Sequence, residues 1–168
     1  MESPLPSPPP TGTARCQTAE LELAFLSATG AAGHTVAEFQ FRNKSMVACY
    51  LYGYVGMQLL DGSGTALETH VVRDPAGTPT TVTLPPGSPA LGNGPSGHGR
   101  FLAEWVSNCD VTGAHFNPEI PASIAIIPPD ETTPLTISAR SLNGSSISVC
   151  PGQELPGSIH TKPVEAAT

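Results

Sequence analysis

A chain of 168 residues with 39% hydrophobic residues can bury one core, so a single domain with polar ends is the expectation. Only 12% of residues are charged, and 17 glycines with 19 prolines interrupt the chain too often for long helices, which excludes a helical bundle. The net charge of −7, with 7 scattered Lys and Arg, excludes the basic stripe that nucleic acid or an anionic lipid surface requires.

Residues 1–14, MESPLPSPPPTGTA, are rich in Pro, Ser and Thr and offer nothing to bury. They are expected to form a disordered or polyproline-like stalk, a linker continuing from a longer precursor. No apolar run approaches the ~18 residues that span a bilayer, so any membrane contact is expected only through a tether outside this sequence. One folded domain is expected over residues 15–163, followed by a disordered polar tail at 164–168.

Leu21-Glu22-Leu23-Ala24-Phe25 alternates apolar residues, the period of a half-buried strand. A turn at Gly30–Gly33 leads to a second strand near His34–Arg42, with Ala37, Phe39 and Phe41 on one face and Glu38 and Gln40 on the other. The β-prone run from Cys49 to Leu60 follows, then a hairpin turn at Asp61-Gly62-Ser63-Gly64 and a return strand near Ala66–Arg73. Asp74–Gly77 makes another turn, and Thr80–Leu84 a short strand stopped by Pro85-Pro86-Gly87. Residues 88–99 are a glycine-rich loop. Arg100–Ser107 places Phe101, Ala103, Trp105 and Ser107 on one face. Ile124–Ile127, Leu135–Ala139, Ser146–Cys150 and Gly157–Pro163 complete the set, with a turn at Asn143-Gly144. About eight to ten short strands with frequent turns predict an all-β fold, an antiparallel, immunoglobulin-like β-sandwich.

Cys16, Cys49, Cys109 and Cys150 lack CxxC spacing, so neither a redox pair nor paired zinc knuckles is present. An even number of widely spaced cysteines in a chain poor in charge reads as two disulfides and an extracytoplasmic address. Several features then coincide: Cys16 ahead of an alternating strand, Gly30-Ala31-Ala32-Gly33-His34, and Asn43 closing the next strand. Cys49-Tyr50-Leu51-Tyr52-Gly53-Tyr54-Val55-Gly56, the hairpin at Leu60–Gly64, Val82–Gly87, the Trp105 strand, Cys109 and Cys150 follow. Over residues 16–163 this order resembles DUF4232, a domain of unknown function from exported, often lipid- or membrane-anchored, actinobacterial proteins. The sequence departs from that pattern at Gly92–Gly99, where the family usually carries a short Ala-rich stretch, and in its thin supply of basic residues. The resemblance implies fold and compartment, and it carries no catalytic residue.

Four cysteines allow three pairings. Cys16–Cys49 with Cys109–Cys150 is favoured, being nearest in sequence and tying strand ends together. His34, His70, His98, His115 and His160 show no spacing of two or four residues, so no metal site is expected. Gly94-Pro95-Ser96-Gly97-His98 lacks the strand-to-helix setting of a nucleophile elbow, and no catalytic residue or cofactor is expected either. Tyr50, Tyr52 and Tyr54 share one face if the strand is regular, spaced about 6.5–7 Å apart. They are the candidate binding face, with packing under the second sheet as the plain alternative. The function expected is a non-enzymatic module of the cell envelope that binds a protein, a polymer or a small ligand, or that serves structurally. The rivals are an exported hydrolase with a loop-built site and a metal-handling protein.

Overall fold

Alternating burial builds the longest strands, and the apolar faces decide how the sheets meet. The computed structural model describes residues 12–87, 91, 97–111, 114–115, 118–150 and 158–167. In chain order its strands are β1 (Ala14–Arg15), β2 (Leu21–Ala31), β3 (His34–Asn43), β4 (Cys49–Leu51), β5 (Gly56–Leu60), β6 (His70–Arg73) and β7 (Val82–Leu84). They continue as β8 (Gly99–Val106), β9 (Asp110–Val111), β10 (Ala114–His115), β11 (Ser123–Ile127), β12 (Leu135–Ser138), β13 (Ser158–Thr161) and β14 (Glu165–Ala166). The helical content among the described residues is one 3-10 turn at Thr18–Glu20. No helix among them is long and apolar enough to cross a membrane. The fold is all-β, as the sequence predicts.

The large sheet has the order β2-β3-β8-β13-β6, with β14 also pairing β8 beyond the end of β13. Two smaller sheets, β12-β11-β5 and β1-β4-β7, supply the opposing apolar surface, and β9 pairs β10 in a short ribbon. On β8, Phe101, Ala103 and Trp105 are buried while Arg100, Leu102, Glu104 and Val106 are half-exposed, so one face points to the core and the other to water. Phe39 and Phe101 sit opposite each other in register and stack at 4.9 Å between ring centres, with Phe25 and Phe41 extending the row. Leu51, Leu59, Leu84, Ile124 and Ile126 of the smaller sheets are fully buried in the same cluster. Each such side chain stabilises the fold by about 1.5–3 kcal/mol relative to exposure.

The arrangement departs from the expected one in four places. The sheets are mixed: β1 runs parallel to β4, and β6 parallel to β13. The run from Cys49 to Leu60 is two strands, because Gly53 takes a φ of 108° and hands β4 to one sheet and β5 to another. The hairpin at Asp61–Gly64 forms its turn and a single bridge, Leu60 to Ala66. The amide of Gln58 then occupies the carbonyl of Leu67, and the return strand β6 crosses to the large sheet. Among the described residues, Ser146–Cys150 forms isolated bridges to Arg140 and Glu119 in place of a strand.

Both domain edges also shift. The expected tail carries β14, because Val164 is fully buried and its N–H donates to the carbonyl of Gly53 at 2.8 Å. The N–H of Ala167 adds a bond to the carbonyl of His98 at 3.0 Å. Gly99 permits this approach, since a Cβ there would meet Val164 Cγ1 at 3.2 Å. Most of the expected stalk lies outside the described residues, but Ala14 pairs with Cys49 in β1, so the sheet begins before residue 15.

Candidate functional site

A cleft of about 320 Å³ opens on the outer face of the large sheet, where β3, β8 and β13 lie side by side. It gathers His34 from the first position of β3, Glu104 from β8, Ser158 and His160 from β13, and Asp74 just past β6. Strand period explains the gathering. Ile159 points inward opposite Trp105, so its neighbours Ser158 and His160 turn outward, and His160 faces Glu104 in register. His34 lies one step diagonally from Glu104, because it pairs with Val106. Its Nδ1 is 3.7 Å from Glu104 Oε1, with both side chains about half exposed.

The walls are held firmly. The turn before His34 puts Ala32 at a φ of 51° and Gly33 at 80°, and the strain at Ala32 is sustained by its surroundings. The carbonyl of Gly33 accepts from the N–H groups of Ser107 and Asn108, at 2.7 and 3.2 Å. That clamp lies beside Cys109, which is bonded to Cys150. Asp74 is fixed three ways: its N–H donates to Thr161, its Oδ1 accepts from the N–H of Ala76, and its carbonyl accepts from Tyr54 Oη.

Charge on the same sheet face is otherwise paired with guanidinium. Arg42 meets Glu22 at 2.6 Å, and Arg100 joins Glu38 at 3.4 Å and Glu165 at 2.8 Å. Such exposed pairs contribute about 0–1 kcal/mol each, so they serve as a solvated surface more than a brace. Among the described residues lining the cleft there is no Lys or Arg. Nor do three His, Cys, Asp or Glu residues stand together as a metal-binding set anywhere among the described residues. A second hollow of about 370 Å³ lies between Gln17–Ala19, Lys44 and the Glu131–Leu135 stretch. Its carboxylate is already occupied, because Glu131 accepts from the N–H and Oγ1 of Thr18, at 3.3 and 3.2 Å, and pairs with Arg15. These bonds tie Arg15 and Thr18 to the Glu131 segment.

The four cysteines are joined as Cys16–Cys49 and Cys109–Cys150. The first links the segment after β1 to the start of β4; the second ties the chain beyond β8 to the segment ahead of β13. The three tyrosines do not lie on one regular strand. β4 ends at Leu51, Gly53 reverses the backbone, and only Tyr50 keeps a strand position. All three are half-buried. Tyr54 is a structural clamp: Oη donates to the carbonyls of Asp74 and Gly77, at 2.8 and 3.1 Å, and Arg73 lies over its ring. The shared face argued from alternation therefore stops at Leu51.

The histidines divide by position. His34 and His160 meet at the cleft, and His70 is exposed on β6. His98 is buried in spite of its glycine-rich setting, 3.2 Å from the Gln40 amide oxygen. His115 lies in β10. Local spacing misses the cleft because its members stand at 34, 74, 104, 158 and 160 and meet only through sheet register. The available signal was the outward phase of each strand, opposite the Phe101-Ala103-Trp105 face.

No curated protein and no solved structure matches the chain. The model of the family described as Domain of unknown function (DUF4232) matches residues 16–156, which takes in all four cysteines and His34, Asp74 and Glu104. The chain belongs to the DUF4232 family.

Proposed function

We propose that this domain works outside the cytoplasm as a non-catalytic binding module of the cell envelope, with the His34–Glu104–His160 cleft as its binding site. The carrying observation is the closure of all four cysteines into two disulfides, with none free. Such bonds persist in oxidising compartments and are reduced in most cytosols. The cleft is concave, at the lower end of the volumes that hold small ligands, and its polar groups converge from four separate chain segments. The reading is also supported by Glu104, whose ion-pair partner among the described residues is an imidazole, whereas Glu22, Glu38 and Glu165 on the same sheet meet arginine. The test is fractionation of the cells that make the protein, with a membrane-impermeant biotin reagent on intact cells. Labelling of its lysines from outside supports the reading; labelling only after lysis overturns it.

One observation favours a second reading, an exported hydrolase. Ser158, His160 and Glu104 line the same cleft, the residue types of a nucleophile, a base and its orienting acid. A fluorophosphonate probe separates the two readings. Covalent labelling at Ser158, lost in Ser158→Ala, would make the domain an enzyme. An unlabelled serine leaves the binding module.

A further inference from the structure

We propose that the cleft takes a primary ammonium group, carried by a small molecule or by a lysine side chain; the proposal rests on the binding-module reading. Asp74 and Glu104 line a concave site; among the described residues its other polar side chains are two imidazoles, the Ser158 hydroxyl and the Trp105 indole, whose N–H is taken by the carbonyl of Ser148. Glu22, Glu38 and Glu165 on the same sheet are each met by a guanidinium, whereas Glu104 is met by His34 at 3.7 Å, a cation only when protonated. A concave site whose carboxylates meet no Lys or Arg among the described lining residues focuses negative potential and draws a positive ligand.

The kind of cation follows from geometry. A transition metal needs three or more donors converging at about 2.0–2.2 Å, and no such set stands among the described residues. An ammonium group asks for less. It offers three N–H donors, accepts longer distances, and is satisfied by acceptors spread around a hollow: two carboxylates, a neutral imidazole nitrogen and a hydroxyl oxygen. The room, about 320 Å³, exceeds what one ion requires and leaves space for the body that carries the charge.

Part of the lining is anchored before any ligand arrives. His34 is held by the turn clamped to Ser107 and Asn108, and Asp74 by its bonds to Thr161, Ala76 and Tyr54. Walls already fixed in place lose little freedom on binding, which favours recognition of a compact group.

The experiment is an amide-shift titration of the uniformly 15N-labelled chain with three probes: glucosamine, Nα-acetyl-lysine amide and N-acetylglucosamine. The first two carry the ammonium on different bodies and separate an amino sugar from a lysine side chain. The third is the neutral counterpart of the first. The proposal expects saturable shifts at residues 34, 104 and 160 from at least one amine, with N-acetylglucosamine about tenfold weaker or worse. Glu104→Gln should weaken the amine about tenfold or more, while Glu38→Gln, on the same face but away from the cleft, should leave it unchanged. No shift from either amine at millimolar concentration overturns the proposal, as does equal binding by the neutral sugar or by Glu104→Gln. Saturable shifts from N-acetylglucosamine alone would sink the ammonium and leave the binding module standing. Stoichiometric binding of zinc at His34 and His160 that displaces the amine would overturn it in favour of a metal.

Discussion

Phe101→Ala strikes the centre of the aromatic row. Phe101 is fully buried, its ring stacks on Phe39 at 4.9 Å with the planes within 5°, and it meets Phe41 at 5.7 Å. Truncating a buried phenylalanine costs about 3–5 kcal/mol through lost transfer energy and the cavity left behind. Two aromatic contacts add about 0.5–1.5 kcal/mol each beyond area, so the upper half of the range, about 4–5 kcal/mol, is expected. For a chain of this length each kcal/mol moves the melting temperature by about 2–4 °C, giving a fall of about 8–20 °C. Urea unfolding at constant m gives the energy directly. The control is Leu102→Ala, one residue along and on the outer face, where the loss should be about 1 kcal/mol or less. If Phe101→Ala costs no more than Leu102→Ala, the inward and outward faces of β8 are assigned the wrong way round and the core described above is not the core.

Three further outcomes follow from the same structure. Replacing Cys109 and Cys150 together by Ala removes a closed loop with a sequence separation of 41 and should cost about 3.5–4 kcal/mol on the chain-entropy model, read by urea unfolding against the unreduced parent. Gly77→Ala should destabilise the domain and detach the Asp74–Gly77 turn, because the new Cβ would collide with the Pro163 ring; hydrogen exchange at residues 74–77 reports it. Asp61 should titrate below its ordinary value of 3.8, because the Ser63 hydroxyl and the N–H groups of Thr65 and Ser63 hold its carboxylate. A depressed folded value means that the turn's stabilisation is present above the ordinary value and is lost as pH falls through the folded one. Carboxyl NMR through acid pH checks this, and Asp61→Asn should remove that pH dependence.

Where a strand's period was regular, the sequence was legible. β3 and β8 were readable because Ala37, Phe39, Phe41 and Phe101, Ala103, Trp105 alternate cleanly, and those faces are buried. The break at Gly53 was less so, because Tyr50-Leu51-Tyr52 continues the alternation while the backbone turns away at a positive φ. Partner choice was not legible at all. β6 looks like the return of the Asp61 hairpin yet pairs with β13, more than eighty positions along, a choice made by the free edge of the large sheet. The polar tail hid Val164, one buried residue that carries β14 with it. Nothing in the glycine-rich stretch around His98 signals its burial, where its ring lies against the Gln40 amide, distant in sequence. The cleft was invisible for the same reason: outward-facing residues on four segments acquire meaning only when register brings them together.

Peptide mapping of the unreduced protein isolated from its own cells tests the disulfide closure, and with it the proposed oxidising compartment, most directly. Digestion under acidic conditions with thiols alkylated beforehand should yield two linked species, Cys16 with Cys49 and Cys109 with Cys150, and no alkylated cysteine. Four alkylated cysteines, or a bond between Cys16 and Cys150, would contradict it.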